Sequence, residues 1–276
     1  MKKIGIIGYG NMGSAIAERL KYNYDTFVFD KDKNKTAGLL RISVCPDTLN
    51  LAEKSEILIL AIKPRDFDSV LGEIKDRVKD KLIISIAAGI STAYIEKLLG
   101  KARVIRTMPN LPAKIGKGMI CLCKGRYVLG NDLALTQEVF SSLGETMIVE
   151  ENHMNAVTAI SGSGPGLFCY VLERDNVDYN NIPEGLKINF TAYLEQTAVN
   201  DFGINPKQAI ILAQATTSGT IALIKASGLS PRELKMQVAS PGGTTETGLN
   251  VLEHGGTIED AIKAAENRAE QLSKGR

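Results

Sequence analysis

The chain contains no tryptophan, only two histidines and only four cysteines, and aromatic residues make up 5% of its 276 positions. The cysteines at positions 45, 121, 123 and 169 are scattered, and no group of His, Cys, Asp and Glu has the spacing of metal ligands. No Ser-His-Asp set, Cys-His pair or carboxylate dyad can be assembled from the spacing either. We therefore expect buried thiols, a reduced cytoplasmic compartment and no bound metal.

Excess charge and long apolar runs are also scarce. The net charge is +2, so the composition does not predict binding to nucleic acid or to an anionic membrane. No apolar run approaches the roughly 20 residues of a membrane-crossing helix. Glycines and Asn11 interrupt the apolar stretch near the N-terminus, which makes it a poor signal peptide. The hydrophobic content of 44% is typical of a globular protein, and the length allows one large domain or two.

The most informative segment lies at the start of the chain. Residues 4–7 have the composition of a buried strand, residues 14–20 that of an amphipathic helix, and the G-x-G-x-x-G pattern of residues 8–13 joins them. This order is typical of a dinucleotide-binding unit, in which a pyrophosphate binds at the helix N-terminus. Asp30 ends the next predicted strand, 17 residues after Gly13, close to the usual spacing of about 20 for the acid that binds the ribose. An ordinary glycine turn with a surface aspartate is the competing interpretation.

The rest of the chain divides into two patterns. Residues 1–150 alternate strand-like and helix-like segments, which predicts a doubly wound α/β sheet of the Rossmann type. From residue 151 to residue 276 helical periodicity dominates, so we expect an all-α C-terminal domain. The alanine-rich segment 209–215 indicates a deeply buried helix, and a domain of this kind often forms a dimer interface.

Two glycine-rich elements in the second half are candidate ligand sites. Residues 161–165 are predicted to join two helical segments, and residues 239–245 precede a helical segment. A loop of Gly, Ser and Thr at a helix N-terminus can bind a small anion such as a carboxylate, although a helix cap is the simpler interpretation. Lys63 and residues 108–110 follow predicted strands, so they are expected at the ligand-binding edge of the sheet. For Lys63, a solvated lysine is an equally good interpretation.

Together these motifs resemble those of the pyrroline-5-carboxylate reductase family, and the resemblance extends over nearly the whole chain. It rests on residues 6–13, 61–64, 85–89, 108–110, 156–165 and 238–245. The last of these, Val-Ala-Ser-Pro-Gly-Gly-Thr-Thr, is the most specific. The family reduces Δ1-pyrroline-5-carboxylate to L-proline with NADH or NADPH, so the resemblance implies an oxidoreductase of proline biosynthesis.

The resemblance also implies roles for particular residues. The expected cofactor-binding residues are Gly8, Tyr9, Gly10, Asn11, Met12, Gly13, Asp30, Lys31, Ala61, Ile62, Lys63, Pro64, Ile86, Ala87, Ala88, Thr158 and Gln237. The expected substrate-binding residues are Glu151, Gly243, Thr244 and Thr245. Thr245 is the expected catalytic residue, because its hydroxyl would bond the ring nitrogen and help to deliver its proton. Family members are dimers with interlocking helical domains, often assembled into decamers. Each site is therefore expected to borrow from two chains, with Glu151 coming from the partner.

Three departures from the family pattern stand out. Leu111 replaces the threonine that usually follows Met-Pro-Asn, which removes a hydroxyl near the cofactor. The stretch near residues 173–190, in the expected interface region, is longer than usual. Asp30 would repel the 2′-phosphate of NADPH, and Lys31, Lys33 and Lys35 could counter that repulsion. We predict that NADH serves at least as well as NADPH.

Other functions fit part of this pattern. A β-hydroxyacid dehydrogenase shares the opening glycine motif but needs a lysine soon after the second glycine-rich turn, and here no lysine occurs between that turn and Lys187. Another imine reductase of the same fold remains open. A nucleotide sensor without activity would keep residues 8–13 but has no need of residues 240–245.

Overall fold

The computed structural model describes residues 1–274, and the first part of the chain forms one sheet with the strand order β3-β2-β1-β4-β5-β6-β7-β8. The strands are β1 (Lys3–Ile7), β2 (Asp25–Phe29), β3 (Ser43–Val44), β4 (Ile57–Leu60), β5 (Leu82–Ser85), β6 (Arg103–Pro109), β7 (Gly118–Lys124) and β8 (Gly144–Ile148). Strands β1, β4 and β5 are apolar on both faces because helices cover both sides of the sheet. The predicted doubly wound sheet is confirmed.

The sheet order reverses between β1 and β4. Strands β1 to β3 extend in one direction and β4 to β8 in the other, so the carboxyl ends of β1 and β4 border a crevice at the switch point. Two strands depart from a purely parallel sheet, because β7 runs antiparallel to β6 and β8 runs parallel to β7. The connection between β6 and β7 is a short 3₁₀ segment, Leu111–Ile115, which is too short for a parallel crossover.

Twelve helices complete the fold within residues 1–274. They are α1 (Asn11–Leu20), α2 (Thr48–Lys54), α3 (Phe67–Ile74), α4 (Thr92–Leu99), α5 (Asp132–Phe140), α6 (Met154–Val157), α7 (Gly164–Arg174), α8 (Glu184–Asn200), α9 (Pro206–Ser227), α10 (Pro231–Val238), α11 (Thr244–Glu253) and α12 (Ile258–Lys274). After β8 the described residues form helices and turns, as the sequence predicts. The division of the chain at residue 150 stays a prediction.

One segment of the second half differs from its sequence-based interpretation. Residues 161–165 are not a loop, because the π-helical turn Thr158–Ser163 continues directly into α7. The small side chains there allow close helix packing rather than a flexible connection. The longer stretch near residues 173–190 consists of the end of α7 at Arg174, a loop over residues 175–183 and the start of α8 at Glu184.

Three clusters of buried apolar side chains hold the structure together. One lies on each face of the sheet, and the third fills the helical domain and reaches the ends of β6 and β7. Leu111 belongs to this third cluster, so the residue that departs from the family pattern packs in the core. All four cysteines are buried and unpaired, and no group of three or more His, Cys, Asp and Glu within residues 1–274 could hold a metal ion.

Helix α9 contains residues 209–215, for which a deeply buried helix was expected; Ala209, Leu212 and Ala213 are buried, but Ile210 and Ile211 are exposed. By length and composition alone α9 could cross a membrane, with a mean hydropathy of 1.3. Half of the 18-residue segment of α9 over which this hydropathy is averaged is buried inside the protein. Gly219 lies where α9 meets the segment between β6 and β7, and a Cβ there would lie 2.4 Å from the carbonyl oxygen of Lys117. The helix therefore packs closely against the nucleotide-binding domain.

Two helical glycines predict opposite effects of the same substitution. Gly72→Ala in α3 should raise the free energy of unfolding by about 0.5–1 kcal/mol, because a Cβ there meets nothing and alanine favours helix. Gly219→Ala should lower it by about 1–3 kcal/mol, because the methyl group would force α9 away from Lys117. Urea unfolding followed by circular dichroism measures both. A stabilising Gly219→Ala would contradict the close packing.

Candidate active site

The glycine turn between β1 and α1 has the shape that a pyrophosphate needs. Gly8 has a φ of +99°, and a Cβ there would lie 2.4 Å from the carbonyl oxygen of Ala61 at the end of β4. A Cβ on Gly13 would lie 2.1 Å from the carbonyl oxygen of Gly8, so only glycine lets α1 pack this closely. At Gly10 a Cβ would meet nothing within 4 Å. The space above Gly10 is thus open to a ligand.

The first turn of α1 is free to bind an anion. Gly10 is its N-cap, no side chain caps the helix, and the first turn carries no acidic residue. The unpaired backbone N–H groups and the positive end of the helix dipole favour a phosphate at this position. The predicted pyrophosphate residues therefore fit a dinucleotide.

Asp30 lies beside this turn, as its position at the end of β2 predicts. Its Oδ2 accepts the backbone N–H of Tyr9 at 2.7 Å, and its Oδ1 accepts that of Asp32 at 2.8 Å. Lys35 Nζ lies 3.7 Å from the same carboxylate. Lys31 instead points to Asp66, with Nζ 3.1 Å from Oδ1. Asp30 is thus fixed by backbone groups at the place where a ribose would bind, with Lys35 as its nearest cation.

The residues that follow β4 and β5 border the same crevice. Ala61 packs against Gly8 and Gly13, while Lys63 is exposed and precedes the short 3₁₀ segment Pro64–Asp66. After β5, the Ile86 N–H bonds the carbonyl of Leu60, so the two strand ends stay together. The predicted contacts of residues 61–64 and 86–88 with a cofactor stay predictions.

The π-helical turn Thr158–Ser163 joins the sheet edge to the helical domain. Asn110 Nδ2 donates to Ser161 Oγ at 3.1 Å, and Asn110 Oδ1 accepts the Met119 N–H at 2.9 Å. Thr158 is buried, and its hydroxyl donates to the Met154 carbonyl at 2.7 Å. Because π turns of this kind occur often at functional sites, the turn is a candidate part of the site, and the contact of Thr158 with a cofactor stays a prediction.

The start of α11 forms a second site with free backbone donors. Gly243 is the N-cap of α11, and no side chain caps this helix either. The Gly242 N–H is taken by Glu246 Oε2 at 2.7 Å, and the Gly243 N–H by the Ser240 carbonyl at 2.9 Å. The first turn of α11, which begins at Thr244, therefore supplies the donors for a small carboxylate.

The side chain that fixes this loop was not predicted from the sequence. Arg268 in α12 donates from Nε to the Gly242 carbonyl at 2.9 Å. It is one of 33 basic residues in the chain, and nothing in its local sequence distinguishes it from the others.

Three hydroxyl groups meet beside the start of α11. Thr245 Oγ1 donates to Ser163 Oγ at 3.0 Å, and Thr244 Oγ1 lies 3.0 Å from the same Ser163 oxygen. All three residues are buried. Ser163 was part of a quoted motif but was missing from the predicted site residues. Each hydroxyl can both donate and accept. The Thr245 proton can therefore go to Ser163 or to a ligand, and in the second case Ser163 can donate to Thr245.

Gln237 connects the two halves of the site. Its backbone carbonyl accepts a hydrogen bond from Asn11 Nδ2 at 3.2 Å, and its Oε1 accepts one from Lys114 Nζ at 2.7 Å. Burial lowers the pKa of Lys114. The structure thus brings Gln237 to the glycine turn, as predicted for a cofactor-binding residue. Lys114 was not foreseen, because it lies in a short 3₁₀ segment outside the predicted motifs.

Glu151 lies in a different set of contacts from the other predicted substrate residues. Its Oε1 accepts Arg106 Nη1 at 2.6 Å, and its Oε2 accepts the Thr92 hydroxyl at 2.8 Å. Burial raises the pKa of Glu151, but the charge of Arg106 and the hydrogen bonds from Arg106 and Thr92 outweigh it, so the pKa lies below its usual value. These contacts join β6, α4 and the start of the helical domain. The predicted approach of Glu151 to a substrate from a partner chain stays a prediction.

Comparison with known proteins agrees with this geometry. The family model described as NADP oxidoreductase coenzyme F420-dependent matches residues 3–89, and that described as pyrroline-5-carboxylate reductase dimerisation matches residues 188–272. The pyrroline-5-carboxylate reductase of Synechocystis sp. is 34% identical over 99% of this chain and 98% of its own. That of Methanosarcina acetivorans is also 34% identical, over the same shares.

A solved structure extends the similarity to three dimensions. The crystal structure of the Plasmodium falciparum pyrroline carboxylate reductase with NADP bound has a TM-score of 0.63 and 27% identity, covering 99% of this chain and 98% of that one. Fold, site and relatives together define an NAD(P)-dependent oxidoreductase with a Rossmann domain and a helical domain. Within that class, the chain belongs to the pyrroline-5-carboxylate reductase family.

The Glu151 contacts predict a pH-dependent contribution to stability. Glu151→Gln should lower the free energy of unfolding at pH 7 by about 1–3 kcal/mol, because Arg106 is buried and loses its charged partner. A carboxylate whose pKa is lowered by folding stabilises above its unfolded pKa and stops doing so as the pH falls through the folded pKa. The difference between the two proteins should therefore shrink below about pH 4.3.

Unfolding by urea at several pH values measures this difference. The matched control is Glu150→Gln, which changes the neighbouring exposed carboxylate and should alter stability by less than about 0.5 kcal/mol. Equal effects of the two substitutions, or a difference that grows in acid, would show that the Arg106 contact contributes nothing.

Proposed function

We propose that this protein reduces the C=N bond of Δ1-pyrroline-5-carboxylate with NADH or NADPH and so forms L-proline. The observation that carries the proposal is the meeting of two uncapped helix N-termini with a hydroxyl cluster. Helix α1 offers donors for a pyrophosphate, and α11 offers donors for a small carboxylate next to Thr245. Family membership supports the same substrate.

The residues of the chain would act by binding, orientation and proton supply. The bound cofactor supplies the hydride. The amides at the start of α11 hold the substrate carboxylate and so fix the face of the ring that meets the cofactor. Thr245 donates a hydrogen bond to the ring nitrogen, which polarises the C=N bond and makes its carbon a better hydride acceptor, and the proton that the amine gains comes from solvent through this hydroxyl. When Thr245 turns its proton to the ring nitrogen, it gives up the hydrogen bond that it donates to Ser163, and Ser163 can donate to Thr245 in its place.

Thr245 is the most direct test of this arrangement. Thr245→Ala should raise the barrier by about 2–4 kcal/mol, because the donor at the developing amine is lost. Thr245→Ser keeps the hydroxyl and should retain most of kcat/KM. Ser163→Ala should reduce kcat/KM by up to about tenfold, which corresponds to one hydrogen bond.

The measurement is oxidation of the cofactor at 340 nm with the imine, together with identification of proline as product. Less than a twofold loss in Thr245→Ala would remove Thr245 from the mechanism. If the wild-type protein binds a cofactor but does not reduce this imine, its substrate is another imine or a hydroxyacid, or the protein is a nucleotide sensor.

Asp30 governs the cofactor preference in this proposal. Its carboxylate would bond the ribose hydroxyls of NADH and repel the additional phosphate of NADPH, with Lys35 reducing the repulsion. We expect kcat/KM for NADH to be at least equal to that for NADPH. Asp30→Asn should shift the ratio toward NADPH, whereas Asp25→Asn, at the opposite end of β2, should leave it unchanged. A wild-type preference for NADPH above about tenfold, or 1.4 kcal/mol, would contradict this role.

A homodimer that can assemble further into a decamer, acting in the cytoplasm, belongs to the same proposal. The matched dimerisation region supports the dimer. Ile188 and Tyr193 on α8 and Ile210 and Ile211 on α9 are exposed, which supports a partner on this side of the helical domain. Four unpaired thiols support a reducing compartment.

A further inference from the structure

Residues from distant parts of the sequence complete the site within a single chain. Asn11 at the start of α1 bonds the carbonyl of Gln237, which lies 226 positions later. Lys114, from the segment between β6 and β7, bonds the side chain of the same glutamine. The C-terminal turn of α10 therefore rests on the glycine turn of its own chain.

The opposite side of the loop is held in the same way. Thr245 bonds Ser163, and Ser163 ends the π turn in which Ser161 bonds Asn110 at the end of β6. The loop before α11 is thus connected to the nucleotide-binding sheet from both sides, and each connection lies within one polypeptide.

A reversal of the chain between α7 and α8 accounts for this return. A Cβ on Gly164 would lie 3.7 Å from Leu194 Cδ1, and the rings of Phe168 and Phe190 are 4.8 Å apart. Residues later in α7 therefore contact residues earlier in α8, so the two helices run antiparallel and form a hairpin. Helix α7 leads the chain about 16 Å away from Ser163, and α8 brings it back.

Helix α10 then lies along α7. Lys235 Nζ is 2.6 Å from Glu173 Oε2, and a Cβ on Gly166 would lie 3.4 Å from Val238 Cβ. This pairing ends at the loop before α11, directly beside Ser163. The turn of the hairpin falls in the stretch that is longer than usual for the family, and the dimerisation model matches only from residue 188 onward.

We propose that each chain builds its whole active site from its own residues, with the glycine turn and the loop before α11 supplied in cis. The α7–α8 hairpin is the element that makes this possible. This differs from the expectation, drawn from the family resemblance, that each site borrows from two chains. The activity test of this proposal rests on the proposed function, whereas the crosslinking test does not.

Complementation between two inactive variants tests the proposal. Gly10→Asp should block the cofactor without disturbing the fold, because Gly10 has a φ of −82° and open space, and aspartate favours the N-cap position. Thr245→Ala removes the substrate-side hydroxyl. The two variants are coexpressed with different affinity tags, and hybrids that carry both tags are purified in sequence.

Under the proposal every hybrid site carries one lesion, so its activity does not exceed that of the separate variants. If the sites were shared between chains, one site of each hybrid dimer would be intact and about half of the wild-type activity would return. A hybrid of wild-type protein with the Gly10→Asp/Thr245→Ala double variant is the matched control. It should keep about half the activity if the site lies in one chain and lose nearly all of it if the site is shared. Failure of the two tags to copurify, with active wild type, also supports a site within one chain.

A crosslink between the two halves needs no turnover. Asn11→Cys and Gln237→Cys in one chain place two accessible thiols side by side, while the native cysteines are buried. A short bis-maleimide should close the link within one polypeptide and leave a band at 29.8 kDa in a denaturing gel. A band at twice that mass, with each single-cysteine variant giving none, would overturn the proposal. Inactive wild-type protein that still forms the internal link would overturn only the proposed function.

Discussion

The contact between Gln237 and the start of α1 is the constraint on which the active site depends. A cofactor turn at residue 8 and a substrate loop near residue 245 serve one reaction only if both border the same gap. Gln237 uses its backbone carbonyl for Asn11 and its side-chain oxygen for Lys114, so the end of α10, which leads into the loop before α11, is held at the start of α1. Without this contact, each terminus would be an isolated anion site.

The two helix termini explain how a chain with so few titratable catalytic groups can carry out a reduction. Neither α1 nor α11 has a side-chain cap, so both leave backbone N–H groups for anionic parts of their ligands. In the proposed function, backbone donors bind and orient both ligands, and the hydroxyl cluster serves the ring nitrogen. The buried cysteines agree with this division of labour, since burial raises the pKa of Cys169 to about 12 and keeps its thiol protonated.

Local patterns in the sequence predicted much of the fold and the placement of the glycine turn beside Asp30. The spacing of Gly8, Gly10 and Gly13 after an apolar strand and the acid at the end of the next strand are short-range features, and the structure places them as expected. The π turn was misread as a loop because the Gly-Ser repeat suggests flexibility, whereas here Asn110 and close helix packing stabilise it. Arg268, Lys114 and the Arg106–Glu151 pair could not be foreseen, because their partners are set by tertiary packing. The same holds for the return of the chain to its own glycine turn.

The most direct test of this account is a crystal structure of the protein with NADH and a proline analogue that carries the ring carboxylate. The account predicts the pyrophosphate on the first turn of α1 and the carboxylate on the first turn of α11 of the same chain, with the Thr245 hydroxyl at the ring nitrogen. An analogue bound between the glycine turn of one chain and the α11 loop of another, or bound away from Thr245, would contradict it.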